Sequence, residues 1–171
     1  KPHHADIPVR TVLTTAAPPD RWREFEERFG VKIVEFYGMV DSPGFLLNAE
    51  GKVGSMGKPI ANIDFAIMGD DGEPLPDGEV GEICFRHPLG QMTHYHKLPE
   101  ATAEAYRGGW FQSGDLGVIH EEGWWYYKGR KKESMRRLGE NISAWEIETV
   151  VNQHPEVLEC GAHAVKSDLG E

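Results

Sequence analysis

The spacing of apolar residues near the start of the chain predicts a β-α-β unit. Residues 9–14 and 31–36 are apolar-rich runs typical of strands. Residues 20–29, between them, place aromatic side chains at positions i, i+3 and i+7, which share one face of a helix. Gly30 stands where glycine usually ends a helix, so the order strand, helix, strand is expected.

The middle of the chain has the alternation of antiparallel strands. Residues 63–68 alternate and end in a Gly-Asp-Asp-Gly turn, and residues 80–86 return as a second strand. Residues 99–106 predict a short helix with proline near its first position. Residues 116–120 and 124–128 flank a Glu-Glu-Gly sequence, which predicts a hairpin. We therefore expect an antiparallel, β-barrel-like subdomain here.

The last third is organised differently. A capping box, Ser143-Ala144-Trp145-Glu146, predicts a helix to about residue 153, and residues 157–165 predict a strand.

A domain boundary is expected near Lys132, where a glycine-preceded basic segment follows the hairpin. The expected fold class is α+β. Residues 1–131 would hold the β-α-β remnant and the antiparallel subdomain, and residues 132–171 would begin a small α/β domain.

Composition narrows the class of protein. The chain has 171 residues, with 18 Lys and Arg against 28 Asp and Glu and a net charge of −10, which argues against nucleic acid or an anionic membrane as main partner. No apolar run approaches the roughly 20 residues of a membrane span. The 2 cysteines lack CxxC spacing, so a disulfide framework or cysteine zinc site is not expected. A cytoplasmic location is the expectation.

A carboxylate and a guanidinium are predicted to meet at the open end of the hairpin. When the hairpin is folded about Glu122-Gly123, Asp115 pairs with Arg130. The pair is compatible with an ordinary cross-strand ion pair. It is also compatible with a polar clamp, because a carboxylate accepts two hydrogen bonds from a vicinal diol such as that of ribose, and arginine adds donors. The residues alone leave both interpretations open.

A second candidate site follows the strand over residues 31–36. Tyr37 can stack on a planar base, Gly38 allows close backbone approach, and Asp41 can bind a hard cation. Ligands gather at the carboxyl ends of strands in α/β sheets. The alternative is a strand end with a core tyrosine and a solvated aspartate. Residues 138–143 are a third candidate segment. The alternative interpretation of this segment is an ordinary glycine turn before a capped helix.

Eight segments carry a further, ordered pattern: residues 15–18, 37–39, 81–83, 95–102, 109–117, 129–133, 139–143 and 146–148. Taken together, these segments resemble the acyl-CoA synthetase branch of the adenylate-forming superfamily. Their order and spacing fit over nearly the whole chain, which is most similar to members of the crotonobetaine/carnitine-CoA ligase type. The resemblance implies a truncated adenylate-forming fold.

The resemblance also implies roles for the candidate residues. Asp115 and Arg130 would bind the ribose hydroxyls of ATP or AMP. Tyr37 and Gly38, with the nearby loop Ala16-Ala17-Pro18, would line the adenine site. The other implied roles are the phosphate and Mg²⁺ side for Val40 and Asp41, the domain hinge for Lys132, and the CoA-side loop for Gly139, Glu140 and Asn141.

The implied reaction joins a small carboxylic acid to ATP, giving acyl-AMP and pyrophosphate, after which CoA displaces AMP to give a thioester. The ligands implied are therefore ATP or AMP, Mg²⁺ and CoA. The 171 residues contain no Ser/Thr/Gly-rich lysine loop and no Pro-Lys-Thr-x-Ser-Gly-Lys segment. We therefore expect a fragment that does not catalyse alone and whose exposed edges favour self-association.

Two positions depart from the family pattern. Val40 replaces a threonine that would hydrogen-bond phosphate, and Asp41 is one methylene shorter than the usual glutamate. These departures leave open a non-catalytic nucleotide-binding or interaction module built on the same scaffold.

Overall fold

The computed structural model describes residues 8–41, 44–60, 62–90, 94–137 and 140–165, and shows two larger β-sheets around a shared core. Backbone hydrogen bonds between Met56, Gly57 and Trp125 join these two sheets. Burial of apolar side chains between them is the main stabilising contribution. The buried cluster consists of Leu46, Met56, Ile67, Ile83, Phe85, Phe111 and Trp125.

The first sheet has the strand order β1-β2-β3-β4, with β1 at Thr11–Thr14, β2 at Lys32–Gly38, β3 at Phe45–Asn48 and β4 at Lys58–Pro59. Strands β1 and β2 are parallel and are joined by helix α1, Trp22–Phe29. The glycine after α1 has φ of 62°, the left-handed conformation that ends many helices. The predicted β-α-β unit is confirmed.

The second sheet is antiparallel and contains β5 at Asp64–Met68, β6 at Gly81–Arg86, β7 at Tyr106–Arg107, β8 at Trp110–His120 and β9 at Trp124–Arg130. Strand β8 lies beside β6, and its other edge pairs first with β7 and then with β9. This sheet confirms the predicted antiparallel, half-barrel subdomain and its hairpin.

Helix α2, Pro99–Ala105, leads into the second sheet and begins at proline as predicted. The last part of the chain has a two-stranded antiparallel sheet of β10, Ser134–Arg137, and β11, Glu140–Ser143, followed by helix α3, Ala144–Val151. The N-cap serine side chain of α3 accepts a hydrogen bond from the backbone N–H three residues on, as the capping box predicts.

The strand predicted over residues 157–165 is wrong. These residues are described and adopt irregular backbone with one bend, at Leu158. A strand needs a neighbour that accepts and donates its backbone hydrogen bonds, and hydrophobic alternation alone does not supply one. The contacts here go instead to α3, where the Ala162 N–H donates to Glu148 Oε1 at 2.8 Å.

Candidate functional site

The hairpin of β8 and β9 places Asp115 opposite Arg130, as the sequence predicts. Its loop is a single 3₁₀ turn, Glu121–Gly123, and the strand pairs beside the loop are one residue out of step with the Asp115 pair. Without correction, Gly129 would lie opposite Asp115. Lys128 is the extra residue, and this bulge in β9 restores the predicted pair.

A second irregularity lies between β8 and β6. Between two paired positions, β8 has three residues, Ser113-Gly114-Asp115, where β6 has one. Gly114 has φ of 73°, a conformation that glycine adopts without strain. The Asp115 N–H, released from the ladder, donates to Ser113 Oγ at 3.0 Å. The bulge therefore fixes the backbone on which the Asp115 carboxylate is carried.

Asp115 is only 4% exposed, and its two carboxylate oxygens have different surroundings. Tyr37 Oη donates to Oδ2 at 2.9 Å, and Arg130 Nε lies 3.4 Å from Oδ1. Within the described part of the chain, Oδ1 has no hydrogen-bond partner. Burial raises the pKa of Asp115, although the Tyr37 hydrogen bond and the Arg130 charge oppose this. A buried, incompletely satisfied carboxylate is suited to accept hydrogen bonds from a ligand.

The structure brings Tyr37 to Asp115 across 78 residues of chain. Burial, with the nearby Asp115 charge, raises the pKa of Tyr37, so its hydroxyl stays a donor. The ring packs against the shared core. At Gly38 an added Cβ would lie 2.5 Å from Phe45 Cδ1, so packing against β3 already requires glycine there.

The loop Ala16-Ala17-Pro18 follows β1 and lies near a buried carboxyl, Glu35, that sequence reasoning missed. Glu35 is buried in β2 near the backbone N–H groups of Ala16 and Ala17, and its Oε2 has no hydrogen-bond partner among the described residues. Burial raises the pKa of Glu35 to about 7. The available signal was a glutamate between Val34 and Phe36, in the apolar-rich part of the strand.

Val40 and Asp41 lie beyond the end of β2, and the valine is fully exposed. Asp41 Oδ2 accepts a hydrogen bond from Tyr95 Oη at 2.7 Å, and this bond, with burial, raises the pKa of Tyr95 to about 12. Tyr95 is not among the predicted site residues, although it lies in residues 95–102, one of the segments that match the family. Among the described residues no group of three or more His, Cys, Asp or Glu could hold a metal ion, so Asp41 would be a single protein ligand.

Lys132 lies exposed in the 3₁₀ turn Lys131–Glu133, immediately after β9. Of the predicted CoA-side residues, Gly139 lies outside the described residues. Glu140 and Asn141 form part of β11, paired with β10. Glu140 and Asn141 thus lie after the hairpin, on a different sheet from Asp115.

Comparison with known proteins identifies relatives of this chain. The family described as AMP-binding enzyme matches residues 2–96. The sulfoacetate–CoA ligase of Cupriavidus necator is 39% identical over 158 residues, which cover 89% of this chain and 31% of that protein. The crotonobetaine/carnitine–CoA ligase of Salmonella typhimurium is 34% identical over 153 residues, 85% of this chain and 30% of the relative.

The fold is also similar to that of solved enzymes. The o-succinylbenzoate CoA synthetase of Bacillus subtilis, in complex with its acyl-adenylate intermediate, has a TM-score of 0.79 and 30% identity, over 94% of this chain and 34% of the synthetase. The chain spans about a third of the length of the curated relatives it matches. Among the residues described, no helix is long and apolar enough to cross a membrane. The chain belongs to the AMP-binding enzyme family, in the acyl-CoA synthetase branch of the adenylate-forming superfamily.

Proposed function

We propose that this chain supplies the ribose and adenine side of the nucleotide site in an ATP-dependent acyl-CoA ligase. The observation that carries the proposal is the buried Asp115 Oδ1, which lacks a hydrogen-bond partner among the described residues and lies beside the Arg130 guanidinium. A ribose offers two adjacent hydroxyl donors, which match an acceptor of this kind.

The surrounding residues prepare Asp115 for this role. Tyr37 holds Oδ2, so the carboxylate is oriented before a ligand arrives. Arg130 is 59% exposed, which leaves donors free to reach a ribose oxygen while its charge stabilises the ionised carboxylate. The loop Ala16-Ala17-Pro18, which lies near Glu35, would line the adenine side together with Tyr37 and Gly38.

Asp41 would serve the phosphate side. Mg²⁺ in nucleotide sites commonly takes one or two carboxylate oxygens and completes its shell with phosphate oxygens and water. One oxygen of Asp41 is fixed by Tyr95. In the proposed site, Asp41 would be the protein carboxylate nearest to a Mg²⁺ that enters with the phosphates. Val40 has no hydroxyl, so it cannot replace threonine as a donor to phosphate.

The proposal extends to the whole protein. Residues 1–131 would belong to its large domain and residues 132–171 to the start of its small domain, with Lys132 at the hinge. The whole protein would convert a small carboxylic acid, ATP and CoA to a thioester, AMP and pyrophosphate. The 171-residue chain alone would bind nucleotide without turnover. The CoA-side positions would be Gly139, Glu140 and Asn141.

Calorimetric titration of the chain with AMP tests the nucleotide role. Asp115→Asn is expected to weaken AMP binding about tenfold or more, because the amide replaces an ionised acceptor with a weaker, half-donating group. Asp64→Asn is the matched control, since Asp64 also pairs with an arginine across two strands. Equal loss in both variants, or unchanged binding in Asp115→Asn, would contradict the ribose role.

A second experiment separates the ligase from the alternative, a non-catalytic nucleotide-binding module, which the Val40 and Asp41 departures favour. The longer protein that carries this chain is assayed for carboxylate-dependent pyrophosphate release and CoA thioester formation. Both products are expected. AMP binding without pyrophosphate release across a panel of carboxylic acids would favour the binding module.

A further inference from the structure

Glu82 is a buried carboxylate with no role in the proposed nucleotide contacts, and only 6% of its surface is exposed. Each oxygen accepts one hydrogen bond. Oε1 accepts from the Gly114 N–H at 3.0 Å, and Oε2 accepts from Lys131 Nζ at 3.0 Å. Its burial is compensated by these two donors, since a buried charge without them is strongly unfavourable.

The two donors stand beside the two residues of the proposed ribose clamp. Gly114 directly precedes Asp115 in β8, and Lys131 directly follows Arg130 at the end of β9. One side chain on β6 therefore holds both strands of the hairpin at the point where the clamp is carried.

The β8 bulge explains why an acceptor is needed at this place. Three residues of β8 oppose one of β6, so the Gly114 N–H leaves the regular ladder. Glu82 accepts that N–H in place of a backbone carbonyl. Lys131 Nζ also lies 3.0 Å from Asp70 Oδ1, in the β5–β6 turn, but Asp70 is exposed and contributes little.

We propose that Glu82 is a positioning residue that sets the spacing of Asp115 and Arg130 and thereby the selection for a ribose diol. The proposal rests on the nucleotide role of Asp115. Glu82 itself does not contact the nucleotide. It acts through the backbone of Gly114 and the side chain of Lys131.

The test compares AMP with 2′-deoxy-AMP by calorimetry, because a correctly spaced clamp distinguishes them and a general loss of stability does not. The unmodified chain is expected to bind AMP about tenfold more tightly than 2′-deoxy-AMP. Glu82→Ala is expected to reduce this ratio to about 2 or less, since Gly114 loses its acceptor and Lys131 keeps only its exposed partner, Asp70. Asp70→Ala, the matched control, removes only the exposed partner of Lys131 and should leave the ratio unchanged.

Glu82→Gln keeps an acceptor for the Gly114 N–H but loses the ion pair with Lys131, so an intermediate ratio is expected. Circular dichroism establishes that each variant is folded. If Glu82→Ala does not fold, Glu82→Gln and Lys131→Met decide. A ratio unchanged in the folded variants overturns the positioning role. A ratio near 1 in the unmodified chain instead overturns the ribose role of Asp115, so the two failures are distinguishable.

Discussion

Two Asp–Arg pairs lie across neighbouring antiparallel strands of the second sheet. Asp64 faces Arg86 between β5 and β6, and Asp115 faces Arg130 between β8 and β9. In the first pair, Arg86 donates to Asp64 Oδ2 from Nε at 3.1 Å and from Nη2 at 2.8 Å. The two side chains are 51% and 47% exposed, and the arginine also stacks on Trp110.

The second pair differs in burial and in hydrogen bonding. Asp115 is buried on a bulge, its closest arginine nitrogen is 3.4 Å away, and one of its oxygens lacks a hydrogen-bond partner among the described residues. Each pair consists of an aspartate opposite an arginine, so residue type alone does not distinguish the two pairs. Burial with incomplete hydrogen bonding distinguishes a carboxylate prepared for a ligand from one that only links two strands.

Glu35 extends this comparison to another buried carboxyl, one without an arginine opposite it, and here the largest effect is expected. Its pKa of about 7 in the folded state exceeds the ordinary glutamate value of 4.5, so the folded state binds the extra proton between these values. Stability is therefore lost as pH rises through that window. Glu35→Gln should remove this loss and raise the free energy of unfolding at about pH 8 by up to about 3 kcal/mol.

Urea unfolding of Glu35→Gln and the unmodified chain, at about pH 4.5 and about pH 8, measures this difference. The two proteins should be nearly equally stable at the lower pH. Glu79→Gln, at an exposed position, is the control and should show no pH-dependent difference. A gain of the same size at both pH values would show that burial of the charge is not its cause.

The two arginines offer the next test. Arg130→Ala should weaken AMP binding about 10- to 100-fold, because the clamp loses its donors and its balancing charge. Arg86→Ala should leave AMP affinity within about twofold and lower only stability, since Arg86 forms an ion pair with Asp64 and stacks on Trp110. Calorimetry measures the first effect and urea unfolding the second. An equal loss of AMP affinity in both variants would remove the distinction between the pairs.

Much of the fold follows from local pattern. The β-α-β unit, the antiparallel hairpins and the Ser143 cap are set by periodicity, glycine positions and capping chemistry, which act over a few residues. The strand predicted over 157–165 fails because strand formation depends on a partner, which periodicity does not specify.

The site is only partly predictable for the same reason. Folding the hairpin about Glu122-Gly123 predicts the Asp115–Arg130 pair. The observed pair arises differently, because the register beside the loop is one residue out of step and the Lys128 bulge corrects it. The Tyr37–Asp115 and Asp41–Tyr95 hydrogen bonds join residues 78 and 54 positions apart, and no local rule predicts them. Long-range contacts of this kind come from packing of the two sheets.

Removal of one hydroxyl should produce a smaller change. Tyr37→Phe deletes the donor to Asp115 Oδ2, which costs about 1–2 kcal/mol of stability and raises the Asp115 pKa further, because that bond favours the ionised form. A protonated carboxyl is a poorer acceptor, so AMP binding weakens as pH falls and Asp115 takes up a proton. In Tyr37→Phe this weakening should begin at a higher pH than in the unmodified chain. Calorimetric titrations between about pH 5 and about pH 8 measure the shift. Identical pH profiles would mean that Tyr37 does not influence the carboxylate.

The smallest effect is expected at the exposed pair. Asp64→Asn removes a solvated carboxylate whose loss leaves Arg86 in water and stacked on Trp110. Exposed cross-strand ion pairs contribute roughly 0.2–1 kcal/mol, so the free energy of unfolding should fall by about 0.5 kcal/mol at low ionic strength. Salt screens such pairs, so the difference should shrink in high NaCl, and urea unfolding at the two salt concentrations measures it. A salt-independent loss of about 2 kcal/mol would mean that Asp64 is as constrained as a buried carboxylate. Exposure would then no longer explain why the Asp64–Arg86 pair only links two strands while the Asp115–Arg130 pair is available to a ligand.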